Sequence, residues 1–341
     1  MTIDYKAAGV NIDTANQAKQ LMAAAVQSTH HSAVLAGMGA FGGALHLADA
    51  LKRYADPVLV ASTDGVGTKT LIAAAVGRYN TIGQDLVNHC INDLLVQGAR
   101  PLFFMDYVAA AQLNATTIAE IVAGIADACR AANCALLGGE TAEMPDVYAA
   151  DAFDLAGTMV GIVDRAALIT GATILPGDSV LALPSSGLHT NGYSLARRVC
   201  ASFGYDAQPD ELGGETLGKA LLAVHRSYLP HLEALWSAGV TIKGLAHITG
   251  GGLWENVPRV LPDGVDVEVR RGSWSVPPIC AWLVERAGLD EYEALRTLNM
   301  GLGMVLIVDP AVVSAAQAAV SELIVIGSTT RRTVGERVRL V

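Results

Sequence analysis

The sequence predicts a two-domain α/β protein, and three observations support this prediction. Along the whole chain, short apolar runs typical of buried strands alternate with longer stretches of helical periodicity. The length of 341 residues is about twice that of an ordinary domain. The turn residues Gly171, Pro176 and Gly177 interrupt the alternation. We therefore expect an N-terminal domain over 1–168 and a C-terminal domain over 169–341.

The predicted elements follow this alternation. Before the boundary, the pattern predicts strands over 57–62, 101–109, 134–140 and 153–163, and helices near 13–29, 67–77, 81–97 and 115–132. After it, strands are predicted near 179–184, 242–247, 265–269, 301–308, 323–327 and 335–340, and helices over 191–203, 216–223, 228–237, 252–260, 277–286 and 310–319. Because α/β proteins bind ligands where strands end, we expect the chemistry at the turns that follow these strands.

Composition and charge favour a cytoplasmic protein that binds small molecules. A net charge of -10 argues against a nucleic-acid surface. The amino terminus has no apolar stretch of signal-peptide length, and no run of about 18 uncharged apolar residues predicts a membrane span. The five cysteines are scattered without C-x-x-C spacing, which indicates reduced core residues.

The first candidate site is the segment Ser-Thr-Asp-Gly-Val-Gly-Thr-Lys, residues 62–69, between a predicted strand and a predicted helix. Backbone N–H groups open at the start of that helix, where the helix dipole favours an anion. The residues that offer these groups are Gly65, Gly67 and Thr68. Asp64 and Lys69 add a carboxylate and an ammonium group, so the segment predicts a phosphate and metal site. A capped turn with a solvated lysine is the alternative, and the spacing excludes the loop G-x-x-x-x-G-K-[ST].

A polar stripe on the helix predicted over 81–97 is the second candidate. Its members are Asp85, His89, Asn92 and Asp93, and the surrounding helix is apolar. The helix contains no Lys or Arg, whereas a solvated face usually pairs charges of both signs. Acids without basic partners predict a bound cation, with a solvated face as the alternative. His89 is either a neutral hydrogen-bonding member of the stripe or a metal ligand.

Glu140 is the third acidic candidate. It follows Gly138 and Gly139, which are expected to end a strand and to leave Glu140 at its tip. Together with Asp64 and Asp93, it gives an oxygen-rich set of ligands. Such a set suits Mg²⁺, which proteins usually bind together with nucleotide phosphates.

Two segments of the C-terminal half each predict an anion site. Ser186, His189, Thr190 and Asn191 lie at a predicted strand-to-helix turn, and Gly250 and Gly251 belong to the run Thr-Gly-Gly-Gly before another predicted helix. Hydroxyl, amide and imidazole groups beside open helix N–H groups suit a sugar phosphate or a phosphoryl group in transfer. A simple helix cap by Thr190 or Asn191 is the alternative. His189 could also serve as an acid or a base.

A glycine-rich stretch over 37–43 fits the pattern G-x-G-x-x-G through Gly37, Gly39 and Gly42. A dinucleotide fingerprint should lie directly between the first strand and its helix, but a predicted helix precedes this stretch. We therefore reject that interpretation and expect a flexible loop that closes over phosphates, with a plain loop as the alternative.

The chain resembles the phosphoribosylformylglycinamidine cyclo-ligases, also called aminoimidazole ribonucleotide synthetases, over essentially its whole length. The motifs that carry the resemblance occur in the family's order over residues 64–69, 92–101, 138–143, 185–193 and 249–252. The stretch from Asp93 to Pro101 matches D-x4-G-A-x-P, which related ATP-using enzymes share. The combination of motifs therefore identifies the family. Relatives outside this branch carry Asp where this chain has His247, so a three-aspartate metal site is not expected.

The resemblance implies the architecture and the reaction. It implies an N-terminal mixed sheet that pairs with a second subunit in a barrel-like homodimer, and a C-terminal α/β domain that completes a cleft. It also implies ATP-dependent closure of formylglycinamidine ribonucleotide to 5-aminoimidazole ribonucleotide, through phosphorylation of the formamide oxygen. Another ATP-using member of the superfamily, such as a small-molecule kinase or synthetase, and a non-catalytic nucleotide-binding paralogue are the alternatives.

Each candidate residue receives a role in this scheme. Asp64, Asp93 and Glu140 are assigned to Mg²⁺ with Asp85 in reserve, and Lys69 to the ATP phosphates. Asn92 joins the nucleotide site, and residues 37–43 form the covering loop. Ser186, His189, Thr190, Asn191, Gly250 and Gly251 are assigned to the substrate.

Overall fold

A computed structural model describes residues 9–112, 114–150 and 152–341, and the chain forms two compact units. The N-terminal unit comprises the described residues up to Leu94 together with Ala99–Ala166. The C-terminal unit comprises Leu95–Gly98 and Ala167–Val341. Each unit combines a mixed sheet with helices, which confirms the predicted two-domain α/β class.

Helices and strands alternate along the N-terminal unit. Its helices are α1 (Ile12–Gln27), α2 (Ala48–Leu51), α3 (Lys69–Val76), α4 (Asn80–Leu95) and α5 (Ala115–Ala131). Its strands are β1 (Val34–Ala36), β2 (Ala44–Leu45), β3 (Pro57–Gly65), β4 (Arg100–Ala110), β5 (Ala135–Glu143) and β6 (Phe153–Asp164). Asn11 and Asn114 begin α1 and α5, because each side-chain oxygen accepts hydrogen bonds from two N–H groups of the first turn.

The main sheet of the N-terminal unit has the strand order β3-β6-β4-β5. β6 is antiparallel to β3 and β4, whereas β4 and β5 are parallel. The register aligns Asp64, Gly157, Asp106 and Gly139 in one row across the strands, and Gly65, Ala156, Tyr107 and Glu140 in the next. Because successive residues of a strand point to opposite faces, these two rows project from opposite sides of the sheet.

The two faces of this sheet differ in what covers them. On the Asp64 face, a Cβ at Gly157 would lie 3.0 Å from Leu86 of α4, so this face packs against the helix. The other face leaves Leu59 59% exposed and Met105 40% exposed. Among the described residues, the N-terminal unit therefore has a helix-covered face and an open face, and Glu140 belongs to the open one.

α4 and α5 approach each other at two glycines. A Cβ at Gly83 would lie 2.1 Å from the carbonyl oxygen of Ile121, and a Cβ at Gly124 would lie 2.0 Å from the carbonyl oxygen of Asn80. Only glycine permits backbones to approach so closely. This contact fixes how far α4 stands from α5.

The C-terminal unit is built around a six-stranded sheet. Its helices are α6 (Tyr193–Cys200), α7 (Leu217–Leu221), α8 (Leu229–Ser237), α9 (Gly252–Asn256), α10 (Pro278–Ala287), α11 (Glu291–Thr297) and α12 (Val313–Ala319). Its strands are β7 (Ser179–Pro184), β8 (Ile242–His247), β9 (Val265–Val269), β10 (Leu302–Val308), β11 (Ile324–Arg331) and β12 (Val338–Leu340). Short 3-10 turns of this unit cover Asp210–Leu212, Val257–Val260 and Pro310–Val312, and a further one, Arg165–Ala167, spans the end of the N-terminal unit and the start of this one.

The strand order of this sheet is β12-β9-β11-β7-β10-β8, with β12 and β9 parallel and the other neighbours antiparallel. Every residue of β10 is buried, as expected for a strand that is covered on both faces. β7 and β8 flank β10, and the loops that follow β7 and β8 contain the second group of predicted site residues.

All five cysteines are buried and free. Burial raises the pKa of the Cys200 thiol to about 11 and that of the Cys280 thiol to about 12. The prediction that the cysteines are core residues is confirmed. In the part of the chain that the structure describes, no helix is both long and apolar enough to cross a bilayer.

Replacing Gly124 by Ala is expected to lower the free energy of unfolding by about 1–3 kcal/mol, because the new methyl group meets backbone that cannot rotate away. Denaturant unfolding measures the change. Gly138→Ala is the matched control, since the nearest atom to a Cβ there is Met105 Cε at 3.9 Å. Equal stability of the Gly124→Ala variant and the unmodified protein would contradict the close approach of α4 and α5.

Candidate functional site

A charged group lies where β3 ends, between β3 and α4. Asp64 Oδ1 accepts a hydrogen bond from the Gly65 N–H, and Asp64 Oδ2 lies 2.8 Å from His89 Nε2. Asp93 Oδ2 accepts a hydrogen bond from Ser62 Oγ at 3.0 Å and lies 3.8 Å from the same His89 nitrogen. One imidazole nitrogen of α4 thus lies between two carboxylates.

In this group, the carboxylates favour the charged form of His89, and His89 favours the charged form of Asp64. Burial alone would lower the pKa of His89, but the hydrogen bond from His89 to Asp64 and the negative charges of Asp64 and Asp93 raise it above its ordinary value. Burial acts against ionisation of Asp64, but the His89 hydrogen bond and charge lower the pKa of Asp64 overall. The raised pKa favours a protonated ring over the neutral ring of the first interpretation, and the role of His89 stays a prediction.

A buried ion pair lies behind this group. Lys69 Nζ at the start of α3 lies 2.7 Å from Asp85 Oδ2 on α4, and neither side chain is exposed to solvent. Burial lowers the pKa of Lys69, whereas the Asp85 charge acts in the opposite direction. The inference that the stripe lacks basic partners is therefore wrong for Asp85, whose partner comes from another helix. Asp85 and Asn92 are fully buried, which excludes a solvated face and a solvated lysine.

The segment over 62–69 forms the predicted turn between a strand and a helix, here β3 and α3. Gly67 has φ +56°, and Thr68 precedes the first helical residue. A Cβ at Gly65 would lie 3.1 Å from the carbonyl oxygen of Leu155 on β6, so little space for a side chain exists there. The turn therefore keeps its backbone close to the sheet, with the N–H groups of α3 at its end.

Glu140 does not join Asp64 and Asp93 within this chain. The expectation that Glu140 lies at a strand tip is wrong, because β5 continues through the two glycines to Glu143. A Cβ at Gly139 would lie 2.2 Å from Asp106 Oδ1, so glycine serves packing inside the sheet rather than a turn. Glu140 is three strands from β3, about 14 Å at the usual strand spacing, and on the opposite face.

The glycine-rich stretch over 37–43 connects the short strands β1 and β2, which pair antiparallel. This hairpin confirms the rejection of a dinucleotide fingerprint, which needs a strand followed by a helix. Gly39 has φ +96°, and Gly39 and Gly42 are exposed, whereas Gly37 packs against His30. The covering role of this loop stays a prediction.

The loop after β7 forms a polar site in the C-terminal unit. His189 has φ +62°, which is uncommon for a residue with a side chain, and its Nε2 accepts the Ser186 N–H at 3.2 Å. Gly192 occupies the N-cap position of α6 with φ +80°, so the alternative of a cap by Thr190 or Asn191 is wrong.

The loop after β8 approaches this site. A Cβ at Gly250 would lie 3.3 Å from Asn191 Oδ1, so these two predicted substrate residues are neighbours. Asn256 is buried and shapes the loop, because its Nδ2 donates hydrogen bonds to the carbonyl oxygens of Gly250 and Gly252 at 3.1 and 2.9 Å. Gly251 has φ +86° and precedes α9.

Three residues near the sites escaped the sequence analysis. Asn256 and His225 lack a local motif, and only the fold brings His225 to Thr190, 35 positions away in sequence. Asp106 stands in the same row as Asp64, and burial raises the pKa of its carboxyl to about 7. Only the pairing of the strands shows that Asp106 lies in this row, and the sequence alone does not give that pairing.

Two family models match the chain: "AIR synthase related protein, N-terminal domain" over residues 47–163 and "AIR synthase related protein, C-terminal domain" over 176–338. A phosphoribosylformylglycinamidine cyclo-ligase of Alkaliphilus oremlandii is 48% identical over 324 residues, which cover 94% of each chain. The protein of that name in Geobacillus thermodenitrificans is 50% identical over 309 residues, covering 90% of this chain and 88% of its own.

Solved structures resemble the fold. The hydrogenase maturation protein HypE of E. coli has a TM-score of 0.66 at 21% identity, covering 94% of this chain and 93% of its own. The thiamine-monophosphate kinase of Stenotrophomonas maltophilia has a TM-score of 0.65 at 17% identity, covering 94% and 95%. At these identities the likeness concerns the fold alone.

Replacing Lys69 by Met is expected to destabilise the protein by about 3–5 kcal/mol, because it leaves the charge of Asp85 buried without its partner. The double variant Lys69→Met/Asp85→Leu should recover much of this loss. Denaturant unfolding measures both. Lys52→Met is the control, since the Lys52–Asp49 pair is 75% and 77% exposed and should cost less than about 1 kcal/mol. Equal losses from Lys69→Met and Lys52→Met would refute the importance of the buried pair.

Proposed function

This chain belongs to the AIR synthase related family, and we propose that it is the ATP-dependent cyclo-ligase of purine biosynthesis that closes formylglycinamidine ribonucleotide to 5-aminoimidazole ribonucleotide. One observation carries this assignment: relatives named phosphoribosylformylglycinamidine cyclo-ligase are 46 to 50% identical over 90 to 98% of the chain. The reaction forms a C–N bond, uses ATP and releases ADP and phosphate.

The reaction has to convert a poor leaving group into a good one. Transfer of the γ-phosphoryl group to the formamide oxygen gives an iminophosphate. The ribosylated amidine nitrogen then attacks the formyl carbon, and phosphate leaves with that oxygen. Phosphoryl transfer of this kind requires alignment and neutralisation of charge more than covalent chemistry from the protein.

Asp64 and Asp93 are the residues that would hold Mg²⁺. Their carboxylates converge within hydrogen-bonding or ion-pair distance of one His89 nitrogen, and their side chains are 42% and 28% exposed. Exposed carboxylate oxygens fit a hard cation that is shared with phosphates. When bound, Mg²⁺ supplies positive charge to the phosphate oxygens.

His89 would keep the two carboxylates in place. Two carboxylates beside one ring repel each other, and a positive charge on His89, whose pKa they raise, would offset this repulsion. The Lys69–Asp85 pair would fix the start of α3, so that the N–H groups after Gly65 face the phosphates. Direct contact between Lys69 and ATP stays a prediction, since Asp85 holds its ammonium group. Asn92 lies buried on the same helix, and its contact with the nucleotide also stays a prediction.

The loops after β7 and β8 would bind the substrate. Asn191 and Gly250 are neighbours, and the N–H groups before α6 and α9 suit the ribonucleotide phosphate. Ser186, Thr190 and Gly251 belong to the same two loops and are assigned there with them. His189 Nε2 accepts a backbone hydrogen bond, which places the proton of a neutral ring on Nδ1. His189 would thus donate a proton or a hydrogen bond from Nδ1.

The open face of the N-terminal sheet would form the homodimer interface. Leu59 and Met105 expose apolar area on the face that the described helices leave uncovered. In such a dimer Glu140, which projects from this face, would meet the partner subunit. Its predicted role at the metal therefore depends on the assembly and stays a prediction.

Replacing both Leu59 and Met105 by Asp is expected to shift the protein from dimer to monomer, because charge would be buried in the interface. Light scattering coupled to gel filtration gives the mass. Leu175→Asp is the control, because Leu175 is 62% exposed and lies in the C-terminal unit. An unmodified protein that elutes as a monomer at micromolar concentration would refute the dimer.

Replacing Asp93 by Asn is expected to lower kcat/KM for Mg-ATP by roughly 10- to 100-fold, since one metal-binding carboxylate is lost. A coupled assay for 5-aminoimidazole ribonucleotide, with and without Mg²⁺, measures it. Asp49→Asn, on exposed α2, should behave as the unmodified protein. Unchanged metal dependence in Asp93→Asn would count against the metal assignment. Turnover of a different small molecule, with none of formylglycinamidine ribonucleotide, would refute the proposed reaction.

A further inference from the structure

A segment of the C-terminal unit outside the two proposed substrate loops contacts both of them. The loop after β7 contains Thr190 and Asn191, and the loop after β8 contains Gly250. The segment over 222–228 connects α7 to α8 and contains neither helix nor strand. At its centre, His225 is fully buried.

His225 contacts one residue on each side. Its Nδ1 lies 3.4 Å from Thr190 Oγ1, and its Nε2 lies 3.1 Å from His247 Nε2. Thr190 and His247 are 8% and 5% exposed, so both contacts are shielded from water. His247 is the last residue of β8, where the loop that contains Gly250 begins. The ring of His225 therefore joins the two loops.

The segment that carries His225 is also fixed against the loop after β7. Ser186 Oγ donates a hydrogen bond to the carbonyl oxygen of Val224 at 2.5 Å. Tyr193 Oη, at the start of α6, donates a hydrogen bond to the carbonyl oxygen of Leu221 at 2.6 Å. These contacts keep the backbone beside His225 in place against the first loop, while Nε2 reaches the residue that begins the second.

The two contacts of His225 depend on each other. A neutral imidazole has one N–H group, so it donates through one nitrogen and accepts through the other. If Nε2 donates to His247, Nδ1 accepts the hydrogen of the Thr190 hydroxyl, and if Nε2 accepts from His247, Nδ1 donates to Thr190. The proton between the two histidines therefore determines what the Thr190 hydroxyl can offer to its other neighbours, including a ligand.

We propose that His225 is a positioning residue for substrate binding, which fixes the spacing of the two loops and couples the Thr190 hydroxyl to His247. This inference rests on the proposed substrate role of the loops. A buried polar atom that loses its partner is costly, so the loops have to rearrange when His225 is replaced. The nucleotide is assigned to the N-terminal unit, and we therefore expect the replacement to weaken binding of the ribonucleotide substrate and not of ATP.

Three substitutions separate the two contacts. His225→Phe keeps a planar ring and removes both. The side-chain amide of Gln reaches the position of Nε2 and that of Asn the position of Nδ1, so His225→Gln keeps the contact with His247 and His225→Asn keeps the contact with Thr190. His231→Gln is the matched control, because the His231 ring contacts Glu322 and Arg226.

Amide hydrogen exchange of the full-length protein, measured by mass spectrometry, tests the connection without any substrate. His225→Phe should accelerate exchange about tenfold in both 186–191 and 248–251, because each loop loses a buried contact. His225→Gln should accelerate it in 186–191 alone, and His225→Asn in 248–251 alone. His231→Gln should leave both loops unchanged. Unchanged exchange in 248–251 of His225→Phe would overturn the connection, and if that variant does not fold, identical patterns in the Gln and Asn variants would overturn it.

Steady-state kinetics with formylglycinamidine ribonucleotide and ATP tests the positioning role. His225→Phe should raise KM for the ribonucleotide about tenfold and leave KM for ATP unchanged, because only ribonucleotide binding is lost. A merely structural role would reduce the amount of active enzyme, so kcat would fall with both KM values unchanged, and that result would overturn the proposal. If the unmodified protein does not turn over the ribonucleotide, the proposed function is wrong, and hydrogen exchange still decides whether His225 joins the loops.

Discussion

The N-terminal site depends on the buried ion pair of Lys69 and Asp85. A buried charge is strongly destabilising without its partner, so Lys69 and Asp85 have to stay in contact. Because Lys69 lies at the start of α3 and Asp85 lies on α4, their contact fixes the start of α3 relative to α4. The turn after β3 is thereby tied to α4 at one point, and the His89 contact with Asp64 ties it at a second. α4 is itself positioned by the glycine contact with α5. Packing thus determines the position of α4, and electrostatic contacts determine the position of the turn after β3.

The two proposed anion sites are built in different ways. In the N-terminal unit, the Asp64 and Asp93 carboxylates meet at His89, so a phosphate bound there would need a cation or a positive charge on His89 to offset their negative charge. In the C-terminal unit, glycine-rich loops present N–H groups, shaped by Asn256 rather than by charge. Both proposed sites are compatible with the net charge of -10, because neither arrangement depends on net charge.

The strands were predictable because apolar alternation is a local property. Each predicted strand is present within a few residues, whereas β1, β2, α2 and α11 were missed because such short elements carry little periodicity. The prediction that Glu140 lies at the tip of a strand was wrong for a different reason. Gly138 and Gly139 suggested a turn, but β5 continues through both, and packing against Asp106 requires glycine at position 139. The strand order and the partner of Asp85 are long-range facts that one sequence does not contain.

The burial of all five thiols gives the protein a practical property. Maleimides and methanethiosulfonates react with the thiolate form of cysteine. Burial shields the five thiols from these reagents and keeps Cys200 and Cys280 protonated near neutral pH. A cysteine introduced on the surface would consequently be the one site that such reagents modify. Pairs of spin labels attached in this way, one per unit, would report the separation of the two units and its change with nucleotide in solution.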